Sequence, residues 1–324
     1  MSDARMRLID SQATGAGLPY GALVDALQSG FVTGCMVPAR HHHHLERSGE
    51  PDATLLLMPA WSKAEDQNQF LGVKLVTVIP GNTTRGLPGL TSTYILYDGA
   101  TGQQLAVMDG NVITSRRTVA TSALAARYLA RDDARSLLVI GSGRVASQIP
   151  DAYRAVRAIE KVFVWDINTE SAEKLVRSLN NKGIAAGVVT DLEQAVGDAD
   201  IISAATLATS PIIKGAWVRR GTHIDLIGGF TPNMREADDA ALKMARAFVD
   251  TREALHEAGD LIQPMQSGVV AEEHVLGTLE DLANGDVSGR TSTDEITYFK
   301  AVGSGLADLV AARMVYQQVC TERQ

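Results

Sequence analysis

The stretch Leu137-Leu-Val-Ile-Gly141-Ser-Gly143-Arg-Val-Ala146 decides the fold of the larger part of this chain. Its first four residues are apolar and two of them are β-branched, which predicts a strand buried on both faces of a parallel sheet. Gly141 permits a tight turn after the strand, and Gly143 lets the backbone approach a pyrophosphate. Ala146 stands in the place of the third glycine of G-x-G-x-x-G/A and lets the next helix pack closely. The stretch therefore predicts a dinucleotide-binding turn.

A second β-rich run supports this interpretation. Val162-Phe-Val-Trp165 ends in Asp166, 25 positions after Gly141, near the spacing expected for a carboxylate on the adenosine ribose. A carboxylate there favours the free 2′-hydroxyl and repels a 2′-phosphate. We expect NAD(H), with NADP(H) as the alternative, because Arg144 could approach a phosphate from the glycine turn. The expected cofactor contacts in these two loops are Gly141, Ser142, Gly143, Arg144, Val145, Asp166, Ile167 and Asn168.

Size and composition exclude several classes of protein. A chain of 324 residues can bury a large core and predicts two domains. Its net charge of -8, with no basic block, excludes the electrostatic footprint of a nucleic-acid-binding protein. No apolar stretch approaches the ~20 residues of a membrane span, and Met1-Ser-Asp-Ala-Arg5 lacks the apolar core of a secretion signal. With only two cysteines, expected to be free thiols, we expect a cytoplasmic protein.

From Ser136 onward, short apolar runs alternate with amphipathic helical patterns. This alternation predicts an α/β fold with βαβ crossovers and a Rossmann-type, doubly wound parallel sheet. The candidate strands are 137–140, 162–165, 184–189, 201–204, 224–227 and 247–250. Pro150 lies inside the first expected helix and should kink or delay it. The segment 294–320 is expected to be helical.

The first part of the chain has a different pattern. Candidate strands at 54–58, 71–79, 92–97 and 104–108 are separated by turns rich in Gly, Pro and Asn, which predicts a mostly antiparallel sheet in a second, α+β domain. A long helix is expected over about 115–130. The run His41–His44 is expected to be a polar loop and not a metal site, since consecutive histidines rarely point at a common ion.

Three cations in this first part are candidates for binding a small carboxylate. They are Arg40, Lys74 and Arg117. An arginine presents a planar fork that matches two carboxylate oxygens, so such a set beside a nicotinamide would suit a small carboxylic acid. Arg116, next to Arg117, is expected to be the solvated member of the pair.

Several segments, in order over nearly the whole chain, resemble the ornithine cyclodeaminase/mu-crystallin family. The matching segments are Gly72-Val-Lys-Leu-Val, Leu105-Ala-Val-Met-Asp-Gly-Asn-Val-Ile-Thr-Ser-Arg-Arg-Thr118, Ala205-Thr-Leu-Ala-Thr-Ser-Pro211, Ile227-Gly-Gly-Phe-Thr-Pro-Asn-Met-Arg-Glu236 and Gly289-Arg-Thr-Ser-Thr-Asp-Glu-Ile-Thr-Tyr-Phe-Lys300. The resemblance implies a substrate-binding and dimerisation domain (1–116 with 301–324), a Rossmann NAD(P) domain (117–300) and a homodimer. It also implies chemistry on the Cα–N bond of amino or imino acids.

The resemblance also implies roles for individual residues. Arg40 and Arg117 match arginines that bind the substrate carboxylate, and Lys74 matches the catalytic lysine beside the reacting carbon. Thr91 falls near a substrate or nicotinamide contact, and Asp308 matches an acidic position of the family. Further expected cofactor contacts are Arg117, Thr206, Leu207 and Gly228.

Phe230 is the informative departure from the family pattern. Cyclodeaminases of the family carry an aspartate at this position, which can hold the distal amine of ornithine. A phenylalanine cannot, so the resemblance implies reduction of a preformed cyclic ketimine such as Δ1-pyrroline-2-carboxylate, or its six-membered homologue, to proline or pipecolate. The alternatives are an ornithine or lysine cyclodeaminase, an amino-acid or opine-type dehydrogenase, and a non-catalytic small-molecule-binding protein.

Overall fold

A computed structural model describes residues 6–321, so the start Met1–Arg5, on which the expected absence of a secretion signal depends, lies outside them. The chain divides into two compact units. The first unit runs to Arg117 and resumes at Ser304, and the second is Thr118–Gly303. Arg117 thus belongs to the first unit and residues 301–303 to the second, each on the other side of its predicted boundary. The assignment of substrate binding and dimerisation to the first unit stays a prediction.

The first unit is built on a six-stranded sheet in the spatial order β1-β6-β5-β4-β3-β2. Neighbouring strands are antiparallel except for the parallel pair β1 and β6. The strands are β1 (Arg7–Ile9), β2 (His41–Leu45), β3 (Ala53–Trp61), β4 (Phe70–Val78), β5 (Leu90–Asp98) and β6 (Gln104–Asp109). The helices of this part are α1 (Ser11–Ala16), α2 (Tyr20–Thr33) and α3 (Gly110–Leu129), which ends in the second unit. The predicted antiparallel strands and long helix are confirmed.

The predicted polar loop at His41–His44 is wrong. These residues form β2, an exposed edge strand that pairs with β3 from His41 opposite Leu57 to Leu45 opposite Ala53. The pairing satisfies one side of the backbone, and polar side chains on an exposed edge discourage pairing with other chains. Among residues 6–321, no group of three or more His, Cys, Asp or Glu side chains is arranged to hold a metal ion.

The second unit contains an eight-stranded, wholly parallel sheet in the order β13-β12-β14-β11-β10-β7-β8-β9. The strands are β7 (Ser136–Ile140), β8 (Lys161–Trp165), β9 (Ala186–Val188), β10 (Ile201–Ala204), β11 (His223–Leu226), β12 (Arg246–Val249), β13 (Val275–Thr278) and β14 (Thr297–Lys300). This architecture confirms the predicted doubly wound α/β fold. The strand order reverses at β7, because β8 lies on one side of it and β10 on the other. Ligands of such sheets bind at this reversal, outside the carboxyl ends of the strands.

Short helices connect the strands of the second unit. They are α4 (Ile149–Arg154), α5 (Thr169–Asn181), α6 (Leu192–Asp198), α7 (Asp239–Met244), α8 (Ala254–Glu257), α9 (Gly259–Gln266) and α10 (Leu279–Asn284). Pro150 lies in the first turn of α4, where its missing N–H is no loss, so it delays the helix and does not kink it. A short 3₁₀ turn, Ala146–Gln148, precedes α4.

The expected helix over 294–320 is only partly present. Thr297–Lys300 forms the interior strand β14, all four residues of which are buried, and the helix α11 (Gly305–Thr321) begins after it. Gly303 separates the two with a φ of 90°, which few other residues adopt. α11 returns to the first unit, where it packs on α2, β3, β4 and β5. No helix among the described residues is long and apolar enough to cross a membrane.

Candidate active site

The glycine turn follows β7 at the carboxyl edge of the parallel sheet. Gly141 has a φ of 105°, and a Cβ added there would lie 2.8 Å from the carbonyl oxygen of Ala205, so no larger residue fits. A Cβ added at Gly143 would meet no described atom within 4 Å. The next residue, Arg144, is exposed, and Val145 is half-buried. The turn therefore has the open backbone that a pyrophosphate requires.

Asp166 lies at the end of β8, in contact with the glycine turn. Its carboxylate accepts a hydrogen bond from Ser142 Oγ at 2.6 Å and another from the backbone N–H of Asn168 at 2.8 Å. Asn168 caps α5, and Ile167 is 91% exposed. A carboxylate beside the turn and an exposed apolar side chain next to it suit the ribose and adenine of a dinucleotide.

The loops after β10 and β11 form the remainder of this edge. Thr206 and Leu207 follow β10, and Gly228 and Phe230 follow β11. Leu207 is 77% exposed and Phe230 is 46% exposed. Because β10 and β11 lie on the far side of β7 from β8, a dinucleotide with its adenosine at Asp166 would extend over these two loops.

In the first unit, one buried carboxylate joins two of the predicted cations. Lys74 Nζ lies 2.7 Å from Asp308 Oδ2, and Arg117 Nε donates a hydrogen bond to Asp308 Oδ1 at 2.7 Å. The side chains of Lys74, Arg117 and Asp308 are 3%, 6% and 0% exposed. Lys74 comes from β4, Arg117 from α3 and Asp308 from α11, so three separate elements assemble this cluster.

Burial and charge set the protonation behaviour of the cluster. Burial lowers the pKa of Lys74 to about 8, although Asp308 opposes the shift, and the positive charges of Arg117 and Arg40 reinforce it. Burial alone would raise the pKa of Asp308, but Arg117 and Lys74 outweigh it and hold that pKa below its usual value. The carboxylate therefore stays ionised, while Lys74 exchanges its proton near neutral pH.

Arg40 lies near the cluster of Lys74, Arg117 and Asp308, whereas Thr91 lies on the opposite face of the sheet from Lys74. His41 pairs with Leu57, which places Arg40 beside Met58, the residue that pairs with Lys74. Thr91 pairs with Thr77, three positions from Lys74, so it lies on the opposite face. Its hydroxyl is hydrogen-bonded to that of Thr77 at 2.8 Å. The structure thus brings together Arg40, Lys74 and Arg117, and it does not bring Thr91 to them.

Tyr94 lies beneath the cluster and was not predicted from the sequence. It pairs directly with Lys74 across β4 and β5 and is fully buried. A Cβ added at Gly72 would overlap the Tyr94 hydroxyl, so the glycine makes room for it. Burial raises the pKa of Tyr94 well above its usual value, and the negative charge of Asp308 adds to this, so the phenol keeps its proton.

Arg116 is the more exposed member of the pair, as expected, but it is half-buried and its side chain has partners. Its guanidinium donates to the carbonyl oxygen of Leu18 at 2.9 Å and lies 5.1 Å from the ring centre of Tyr20. Arg116 therefore fixes the loop between α1 and α2, and Arg117, one residue on, faces Asp308.

Comparison with known proteins gives consistent matches over nearly the whole chain. A model of the ornithine cyclodeaminase/mu-crystallin family matches residues 20–323. A Δ1-pyrroline-2-carboxylate reductase of Paracoccus denitrificans is 42% identical over 269 residues, which cover 82% of this chain and 84% of that protein.

Two solved structures have the same fold along their whole length. One is Thermococcus litoralis Δ1-pyrroline-2-carboxylate reductase in complex with NADH and L-proline, with a TM-score of 0.91, 33% identity and 98% of each chain covered. The other is an archaeal alanine dehydrogenase dimer with bound NAD, with a TM-score of 0.89, 30% identity and coverage of 98% of this chain and 97% of that one.

Proposed function

Because the chain belongs to the ornithine cyclodeaminase/mu-crystallin family, we propose that it is an NAD(P)H-dependent ketimine reductase acting on cyclic imino acids. Its substrate is Δ1-pyrroline-2-carboxylate, which it reduces to L-proline, or the six-membered homologue, which it reduces to L-pipecolate. The observation that carries this proposal is the buried cluster of Lys74, Arg117 and Asp308 with Arg40 beside it.

The charge of the cluster favours a substrate with one negative charge. Arg40, Lys74 and Arg117 carry three positive charges, and Asp308 neutralises one of them. A substrate carboxylate brings a further negative charge into a largely dry site, where hydrogen bonds between ions are strong. Arg40 and Arg117 hold this carboxylate, which fixes the position of the adjacent C2 atom and supplies the orientation that the reaction needs.

The reaction reduces the C2=N bond, adding a hydride to C2 and a proton to nitrogen. NAD(P)H, when bound, supplies the hydride. Lys74 holds the proton: its pKa of about 8 keeps the ammonium form dominant at neutral pH while allowing proton transfer. Asp308 anchors Lys74 and Arg117 from the buried side, so neither cation has to be ordered when the substrate binds.

Residues of the second unit hold the cofactor. The backbone of Gly141 to Val145 would bind the pyrophosphate and Asp166 would bind the adenosine ribose, while Thr206, Leu207 and Gly228 would contact the opposite half of the dinucleotide. Asp166 favours NAD(H) over NADP(H), because a 2′-phosphate would lie against its carboxylate. The T. litoralis reductase, similar over 98% of this chain, binds NADH.

Phe230 argues against cyclodeamination of ornithine. It occupies the loop after β11 with 46% of its surface exposed, where family cyclodeaminases carry an aspartate. A phenyl ring cannot hold a distal ammonium by charge, so a preformed ring is the better substrate.

The enzyme is a homodimer in this proposal, and the archaeal alanine dehydrogenase with the same fold is a dimer. Half-buried apolar residues cover the face of the six-stranded sheet opposite Lys74: Leu55, Leu57, Val73, Leu75 and Ile95. Such a face is typical of a surface that a partner covers.

Cofactor oxidation with a panel of substrates tests the proposed function. We expect NADH to be consumed with Δ1-pyrroline-2-carboxylate or Δ1-piperideine-2-carboxylate, and no ammonia to be released from ornithine. Ammonia and proline formed from ornithine, without imine reduction, would identify a cyclodeaminase. Turnover of pyruvate with ammonia but of no cyclic imine would identify an amino-acid dehydrogenase.

A further inference from the structure

A second charged cluster lies in the core of the second unit, under the loops that follow β10 and β11. It consists of Glu236, Asp260 and Lys300, all at most 1% exposed, and is called the core charge cluster below. Lys300 Nζ lies 3.1 Å from Asp260 Oδ2 and 4.0 Å from Glu236 Oε2. Buried ions gain little stability over apolar side chains of similar size, so the fold alone does not explain this cluster.

Each side chain of the core charge cluster forms a hydrogen bond with backbone, either of a loop after β10 or β11 or of another member of the cluster. Glu236 Oε1 accepts hydrogen bonds from the backbone N–H of Thr206 at 2.7 Å and from its hydroxyl at 2.9 Å. Lys300 Nζ donates to the carbonyl oxygen of Gly228 at 2.9 Å. Asp260 Oδ1 accepts from the backbone N–H of Glu236 at 2.8 Å. The cluster thus ties the Thr206 loop and the Gly228 loop to one buried point.

The two glycines after β11 are required by this arrangement. A Cβ added at Gly228 would overlap the Glu236 carboxylate, and one added at Gly229 would overlap that of Asp260. Gly229 also has a φ of 39°, in the left-handed region. The turn before Phe230 therefore packs directly against the charged side chains, at a distance that only glycine allows.

The topology identifies which half of a dinucleotide these loops face. The pyrophosphate turn follows β7 and Asp166 follows β8, so the adenosine half lies on the β8 side. The loops after β10 and β11 lie on the other side, where the nicotinamide half extends. We propose that Glu236, Asp260 and Lys300 are positioning residues that hold the Thr206 and Gly228 loops in the conformation that binds the nicotinamide half of the cofactor. This inference rests on the proposed function only for the presence and direction of the dinucleotide.

Binding of two ligands to Glu236 variants tests this role. NADH carries both halves, whereas ADP-ribose lacks the nicotinamide. Glu236→Leu removes the acceptor of both Thr206 hydrogen bonds, and we expect it to weaken NADH binding about tenfold or more while ADP-ribose binding changes less than about twofold, as measured by calorimetry. A structural defect alone would weaken both ligands equally.

Conservative and matched variants complete the test. Burial, opposed by Lys300 and reinforced by Asp260, raises the pKa of Glu236 to about 7, so Glu236→Gln resembles the protonated acid, keeps the Oε1 acceptor and should restore most of the NADH affinity. Asp225→Asn is the control, because Asp225 is equally buried in β11 but bonds Ser203 and not a loop. It should leave the ratio of the two affinities unchanged.

Three results would overturn the inference. One is an equal loss of both ligands in Glu236→Leu, and another is unchanged NADH affinity. If Glu236→Leu does not fold, Thr206→Val replaces it, because it removes the hydrogen bond from the Thr206 hydroxyl to Glu236. The third overturning result is a Thr206→Val protein that shows no selective loss of NADH affinity. An unaltered protein that binds neither ligand would refute the proposed function and this inference together. A selective NADH defect without any imine reduction would refute only the proposed substrate.

Discussion

Asp308 provides the negative charge that lets Lys74 and Arg117 be buried side by side. One carboxylate lies 2.7 Å from each cation and is itself inaccessible to solvent. Without it, two like charges would share a dry site, which is strongly unfavourable. With it, each cation has a buried carboxylate oxygen 2.7 Å away.

Arg117→Ala should remove one of the two arginines, Arg40 and Arg117, that form the proposed clamp on the substrate carboxylate. We expect kcat/KM for the cyclic imine to fall about 30-fold or more, since a charged contact in a partly dry site contributes ~2–4 kcal/mol. NADH affinity, measured by fluorescence titration, should stay nearly unchanged. Arg116→Ala is the comparison: it loses the Leu18 hydrogen bond and the Tyr20 contact, so it should lower Tm while leaving kcat/KM close to that of the unaltered protein. Normal kcat/KM in Arg117→Ala would refute the clamp.

The pH dependence of imine reduction should show the titration of Lys74. The reaction needs the ammonium form, whose pKa is lowered to about 8, so kcat/KM should decline as the pH rises through that value. Oxidation of proline, the reverse reaction, needs the neutral amine and should increase over the same range. Initial rates in both directions measure the two profiles.

The Lys74→Arg variant shows whether the decline in kcat/KM comes from titration of Lys74 or from titration of the substrate imine. An arginine stays protonated throughout the accessible range, so the decline near pH 8 should disappear, at a reduced overall rate. A decline at the same pH in this variant would assign the titration to the imine and not to Lys74.

At the scale of elements, the end of β8 is the part of the fold that we propose to bind the adenosine ribose of the cofactor. Ser142 Oγ from the glycine turn donates a hydrogen bond to the Asp166 carboxylate at 2.6 Å, which joins the turn to the end of the strand. Asp166→Ser should raise kcat/KM with NADPH relative to NADH, because it removes the charge that repels a 2′-phosphate. Kinetics with both cofactors measure the ratio. A strong preference of the unaltered protein for NADPH would refute the placement of Asp166 at the ribose.

At the scale of elements, sequence periodicity predicted what depends on local pattern. The glycine turn, the parallel strands before it and after it, and the antiparallel strands of the first unit all follow from short runs of apolar residues. It predicted no strand at β1 or β13, and it was wrong at β14 and β2. Thr297–Lys300 is too short to be distinguished from the helical pattern that follows it, and His41–His44 is a strand only because β3 supplies its hydrogen bonds.

Dimerisation belongs to the scale of the whole molecule. Leu75→Glu places a charge on the apolar sheet face opposite Lys74, and we expect it to convert the proposed dimer to a monomer because the carboxylate would be desolvated in the interface. Light scattering after size-exclusion chromatography measures the mass. Met244→Glu changes an exposed apolar residue of the second unit and should leave the mass unaltered. A Leu75→Glu protein of unchanged mass would place the interface elsewhere.

The candidate site was predictable where residues are marked by motifs and not where distant segments meet. Arg40, Lys74 and Arg117 were singled out from sequence, and the structure brings them together. Asp308 was noted only as an acidic position that matches the family. Its role depends on α11 returning to β4 and α3, an encounter between residues 191 positions apart that no local pattern encodes.

The first unit is formed from two segments of the chain, separated by the whole second unit, and this has a consequence for biosynthesis. Lys74 and Arg117 leave the ribosome long before Asp308, and all of Thr118–Gly303 is translated between them. During that interval the Asp308 carboxylate, which lies 2.7 Å from each cation in the finished molecule, is not yet available to them. The second unit needs no later segment for its sheet. Translation therefore completes all strands of the second unit's sheet first, and Asp308 can pair with Lys74 and Arg117 only after the final helix emerges.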